Sequence, residues 1–308
     1  MKTILISEGD PTSINYELLA STFPLLKRLG KHHRIFLVRG DHNQTFSGFG
    51  RVESIPKIPG LFCLEHSLKG KFQLGKPSLA SGAMAYASLV SAMEWQKELK
   101  ADLITLPLSK EWVKKSGVDG FRGHTETLAD FFQTKTFMMM SGSHYKVIPL
   151  TTHTPISSVP TELSQFPWWD LAKAIKMSKF LKRPKILLLG LNPHAGEGGQ
   201  IGDEEITILR KGMEILKKER LAVDGPFPAD SAFLPGAKKY DLYLACYHDQ
   251  GLIPFKMLEG KKGVNVTLGL PFLRVSPDHG TAFGIAGKKK ADNTGFVSCL
   301  KMVVNDSE

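Results

Sequence analysis

The chain has 308 residues, 42% of them hydrophobic, enough for one large α/β domain or two lobes around a substantial core. Glu8 and Asp10 interrupt the apolar start too early for a secretory signal, and no later stretch has the length and apolarity of a bilayer span, so a cytoplasmic protein without membrane association is expected. The formal net charge of +10 is interspersed with acids and lacks an aromatic-punctuated basic stripe, which points away from nucleic acid and toward anionic small molecules.

Cys63, Cys246 and Cys299 are widely spaced and form no CxxC pair, which fits a reducing compartment rather than a disulfide framework. Short β-branched or apolar runs at 3–7, 34–38, 103–107, 185–191, 242–248 and 263–270 read as strands. Helical patterns lie between them. One covers 77–99, with Pro77 at an opening position, and another covers 203–220, opened by acids and closed by Lys217, Lys218 and Arg220 as the helix dipole favours. The alternation defines an α/β protein, a single two-lobed catalytic unit over 1–308, with the Pro-rich stretch 154–167 as the candidate hinge.

Polar motifs follow the strand-like runs, where the chains of α/β sheets build their sites. His153 ends a strand-like run in TTHTP of 151–155, His194 lies in the glycine-rich GLNPHAGEGGQIG of 190–202, and His248 ends the run 242–248. Three neutral imidazoles at three strand exits can bind zinc or a similar divalent ion and leave positions for substrate oxygens. Each is also compatible with a half-buried structural histidine, and no HExxH-like spacing joins two of them. GHTE at 123–126 places His124 and Thr125 at a helix start suited to an anion, with an N-cap role for Thr125 as the structural alternative. Lys256, Asn265 and Arg274 can each bind an oxyanion or stand as surface residues. GxGxxG fails at Ile201, and neither GxSxG nor a P-loop occurs, so spacing alone leaves a metal-dependent hydrolase or lyase open.

Taken together, GLNPHAGEGG (190–199), YHDQG (247–251), VNVTLGLPF (264–272) and DHGTA (278–282), with GHTE, Thr152-His153 and GPFPAD (225–230) in the same order, resemble the 4-hydroxythreonine-4-phosphate dehydrogenase family. The resemblance implies an isocitrate/isopropylmalate dehydrogenase-like α/β fold, two lobes sharing a mixed sheet flanked by helices. It also implies a homodimer with the active site at its interface, NAD, and a divalent metal (zinc, magnesium or cobalt) on His153, His194 and His248. The small phosphorylated hydroxy acid substrate then falls to His124, Thr125, Lys256, Asn265 and Arg274, and NAD to Asp278, His279, Gly280, Thr281 and Ala282. Asp249 and Lys256 are the candidate bases for the hydroxyl proton. The implied reaction oxidises 4-phosphohydroxy-L-threonine, and the oxo acid then decarboxylates, in pyridoxine 5'-phosphate biosynthesis. Related dehydrogenases act on threonate or erythronate 4-phosphate or on cyclic dihydrodiols, and a metal-binding relative without redox activity is the further alternative. One departure stands out. The family's GDPAGIGPE reads GDPTSINYE at 9–17, so Ser13, Asn15 and Tyr16 are expected to close a tight backbone approach.

Overall fold

Residues 1–44 and 48–305 are described by a computed structural model of the chain, which divides into two units: Met1–Thr134 with Phe272–Glu308, and Lys135–Pro271. The first unit contains β1 (Thr3–Ser7), β2 (Arg34–His42), β3 (Gly50–Arg51), β4 (Gly60–Gly70), β5 (Asp102–Thr105) and the chain's last strand, β12 (Arg274–Pro277). Their order is β3-β4-β2-β1-β5-β12, with parallel pairing throughout. β1 and β2 are buried on both faces, which is why they read as continuous apolar runs rather than alternating ones. The helix Leu79–Leu99 packs on β1, β2 and β4, and Ser88 spends its hydroxyl on the sheet, donating to the Val38 carbonyl and accepting from the Glu8 N–H. Ser78 caps that helix in a reciprocal box with Ser81, so Pro77 stands outside it instead of opening it.

The second unit contains β6 (Phe137–Ser141), β7 (Lys146–Pro149), β8 (Lys185–Leu189), β9 (Ala222–Phe227), β10 (Leu242–Ala245) and β11 (Val264–Leu268). Their order is β11-β6-β7-β10-β8-β9, antiparallel at β11/β6 and β6/β7 and parallel beyond. Val147, Leu187, Leu189, Tyr243, Ala245, Leu252 and Phe255 form its core, so the helix His248–Glu259 is fixed against the sheet by alternate turns. The stretch 154–167 lies inside this unit, where Ile156–Ser158 and Val159–Ser164 form short helical turns, and not at either division between units. The expected helix from 203 opens as a π-helical segment, Glu205–Leu209, and becomes α-helical at Arg210–Lys218.

Candidate active site

The strand expected to end in His248 stops at Ala245. Gln250 reverses the chain there: its side-chain oxygen accepts from the Cys246 N–H at 2.7 Å, and its amide donates to the Gly190 carbonyl at 2.7 Å. Tyr247 is extended and His248 becomes the first residue of the helix. Thr151 joins the same edge, donating N–H and hydroxyl to the Cys246 carbonyl, so the chain after β7 leaves beside the chain after β10. His153 and His248 therefore meet, with ring centroids 6.2 Å apart and planes tilted 37°, in a recess of about 460 Å³ that Thr152, Tyr247 and Asp249 also line.

A nitrogen-bound metal stands about 2 Å from its ligand atom, so two imidazoles on one tetrahedral ion have centroids about 5 Å apart, and these two rings would have to close by about 1 Å to share one. The Asp249 carboxylate accepts from His248 Nδ1 at 2.6 Å, which fixes the tautomer of a neutral ring and leaves Nε2 with the free lone pair. His194 does not join them: among the described residues no three His, Cys, Asp or Glu side chains gather closely enough to hold a metal. It stands exposed on a left-handed turn, where His194, Ala195 and Glu197 have φ of 51°, 51° and 44° between glycines. Each non-glycine residue costs on the order of 1 kcal/mol in that conformation, so neighbouring groups must hold the turn.

In the first unit, Gly123 is the N-cap of the helix His124–Phe132, which places Thr125 inside the first turn and removes its alternative capping role. Arg274, at the start of β12, is 2% exposed and donates through Nη2 to Thr105 Oγ1. Burial and the nearby charges of Arg274 and Lys110 hold the His124 imidazole well below its ordinary value of 6.5, against an opposing hydrogen bond to the Leu106 backbone. His124 Nε2 is buried without a partner, so the Leu106 bond uses Nδ1–H and a neutral ring presents Nε2 as an acceptor. Lys110, absent from the sequence expectations, thus belongs to this electrostatic environment.

A pH dependence follows. Because the folded value lies below the unfolded one, stability from burying neutral His124 is fully present above about pH 6.5 and is lost as pH falls below it. The melting temperature is expected to fall between about pH 7.5 and 5, and to fall less in His124→Gln, as scanning calorimetry measures. Equal falls in both proteins would show that His124 is not a buried neutral ring.

Of the remaining substrate candidates, Asn265 lies on β11 with its side-chain oxygen buried and without a partner, and Lys256 is exposed on the helix His248–Glu259. Lys256 lies two turns beyond Asp249 on the same helix face. The segment Asp278–Ala282 follows β12, with Ala282 left-handed at φ 49° and His279 Nδ1 bonded to the Gly280 carbonyl. His279 Nε2 is buried and unpartnered, hence an acceptor toward any ligand there.

The altered segment 9–17 packs against this one, its Ile14 N–H donating to the Thr281 carbonyl at 3.2 Å. Gly9, at φ +65°, is indispensable, since a Cβ there would lie 2.2 Å from the Pro107 carbonyl oxygen. The bulkier residues expected to close a tight backbone approach are buried and bonded within the turn. Asn15, fully buried, donates its amide to the Glu8 and Pro107 carbonyls at 2.8 Å each. Ser13 donates to the Asp10 carbonyl, and Tyr16 donates its hydroxyl to the Glu8 carboxylate at 2.6 Å.

Mostly parallel strands with helical crossovers and polar residues at their exits define an α/β fold. An isocitrate dehydrogenase from Methylococcus capsulatus shares that fold, with a TM-score of 0.53 at 11% identity over 99% of this chain and 85% of its own. The family model of pyridoxal phosphate biosynthetic protein PdxA matches residues 33–303. A 4-hydroxythreonine-4-phosphate dehydrogenase of Sulfurihydrogenibium is 35% identical over 99% of this chain and 98% of its own length. The crystal structure of the enzyme of that name from Klebsiella pneumoniae superposes with a TM-score of 0.80 at 28% identity, over 100% of both chains. The chain belongs to the PdxA family of pyridoxal phosphate biosynthesis, and it is an oxidoreductase of the dehydrogenase class. No helix among the described residues is long and apolar enough to cross a membrane.

Proposed function

We propose that the chain is an NAD-dependent, divalent-metal-dependent 4-hydroxythreonine-4-phosphate dehydrogenase. In this reading it oxidises 4-phosphohydroxy-L-threonine at C3 to 2-amino-3-oxo-4-phosphooxybutanoate, which decarboxylates to 3-amino-2-oxopropyl phosphate. The observation that carries the reading is the convergence of His153 and His248, from separate motifs of the family, on one recess. When bound, a divalent cation supplies Lewis acidity at the substrate oxygens and NAD accepts the hydride. The chain's own groups do the rest. Asp249 holds His248 in its ligand tautomer, which leaves Lys256 as the candidate base for the hydroxyl proton. Neutral His124 accepts a substrate hydrogen bond, and Thr125, Asn265 and Arg274 bind its polar and anionic groups. Asp278 to Ala282 bind the dinucleotide beside the 9–17 turn.

The same reading makes the working unit a homodimer in which His194 completes the metal site of a second copy. Two observations support it: His194 is exposed and apart from the paired histidines, and the helix that His248 opens exposes Ile253, Met257 and Leu258 at 58%, 81% and 50%. Apolar side chains in such a cluster favour a protein partner.

The test is NADH formation from 4-phosphohydroxy-threonine, threonate 4-phosphate, erythronate 4-phosphate and a cyclic dihydrodiol, before and after chelation. The expected result is preferred turnover of the first, loss on chelation, and recovery with zinc, magnesium or cobalt. Preference for another compound would move the chain to that branch of the family, and no NADH from any would identify a relative without redox activity.

A further inference from the structure

Six consecutive residues, His194 to Gly199, hold positive φ, and three of them carry side chains that disfavour it. A segment of this kind keeps one conformation only where its surroundings over-determine it. The surrounding group is Glu205, 3% exposed, at the first position of the π-helical segment Glu205–Leu209, an irregularity frequent at functional sites. Glu205 Oε1 accepts from the Asn192 N–H at 2.7 Å, and Oε2 accepts from the Asn192 side-chain amide at 3.0 Å. Glu204 takes the same amide at 2.6 Å. The carboxylate also fills the hollow of the turn: a Cβ on Gly190 would come within 3.2 Å of Oε1, and one on Gly196 within 2.7 Å of Oε2. Asn192 in turn accepts the Ala195 N–H through its carbonyl, so one chain of hydrogen bonds runs from Glu205 to the residue after His194.

We infer that Glu205 is a positioning residue for His194, setting the left-handed turn so that the imidazole projects in one direction before any metal arrives. The inference rests on the reading of His194 as a metal ligand. Removing the carboxylate leaves the Asn192 N–H unsatisfied and the hollow empty, and the turn is then free to leave its strained conformation. A glutamine keeps the volume but turns an amide group toward the Asn192 amide, so it should restore the turn only in part.

The test uses the full chain as Glu205→Ala and Glu205→Gln, with His194→Ala as reference. Zinc affinity is measured by calorimetry, and exchange protection of the amides at 192–201 is measured without metal. Expected are a loss of zinc affinity of about tenfold to a hundredfold in Glu205→Ala, a smaller loss in Glu205→Gln, and faster exchange in that segment. Wild-type affinity and protection in a folded Glu205→Ala would overturn the inference. If that variant does not fold, Glu205→Gln decides, unchanged affinity and exchange overturning the inference. An unchanged zinc affinity in His194→Ala would instead remove the ligand reading beneath it.

Discussion

Mixing inactive His194→Ala and His248→Ala chains, unfolded and refolded together, is expected to restore about a quarter of wild-type activity. His153 and His248 face each other within one chain, whereas His194 stands apart on its own turn. If the second copy supplies His194, a hybrid dimer holds one site lacking both ligands and one site lacking neither. Random exchange makes about half of the dimers hybrid, and half of their sites are whole, which gives the quarter. His194→Ala with His153→Ala should behave in the same way. His153→Ala with His248→Ala should recover nothing, because every site in every dimer then lacks at least one of the paired ligands. Activity in that third mixture, or none in the first two despite demonstrated hybrids, would refute the division of ligands between copies.

Arg274→Met is expected to weaken phosphorylated substrate by about 2 to 4 kcal/mol, roughly thirtyfold to several hundredfold in KM, with little change in KM for NAD. Burial pushes the guanidinium down to about 10, which leaves it charged at neutral pH. Folded and unfolded chains then both carry the proton below that value, so Arg274 adds no pH dependence to stability near neutrality. A buried charge is costly to desolvate, so an apolar residue of similar reach should keep or raise the melting temperature while the anion loses its partner. Equal losses for substrate and NAD, or a melting temperature lowered along with both, would make Arg274 structural.

The strands were legible where both faces are buried, because an unbroken apolar run is then all that the sheet requires, as Thr3–Ser7 illustrates. Their ends were not, and the reasons are side chains acting across the sequence. Gln250 captures the Cys246 N–H and converts an expected strand end at His248 into a helix start. Hydrophobic pattern carries no trace of such a bond. The unit division is hidden for a similar reason: it follows contacts between distant segments, while 154–167 merely looked loose by composition. Of the site, residue type and order marked the histidines, yet only three-dimensional packing separated the pair His153 and His248 from His194. Lys110, Glu205 and Gln250 escaped notice because each acts through a neighbour: a depressed imidazole, a left-handed turn, a bridge between two strands. At 13, 15 and 16 the added bulk was legible but its bonding was not, since the polar atoms of these residues find buried carbonyls and a carboxylate.

That last substitution has an entropic side. A glycine-rich turn keeps many backbone states until something orders it, and any ligand that does so loses binding free energy to the ordering. Here the Asn15 amide crosses the turn to Glu8 and Pro107 at the moment the chain folds, and the next residue back, Ile14, is already bonded to Thr281. The cost of freezing the turn is therefore met once, by folding, and recurs in none of the binding events that follow.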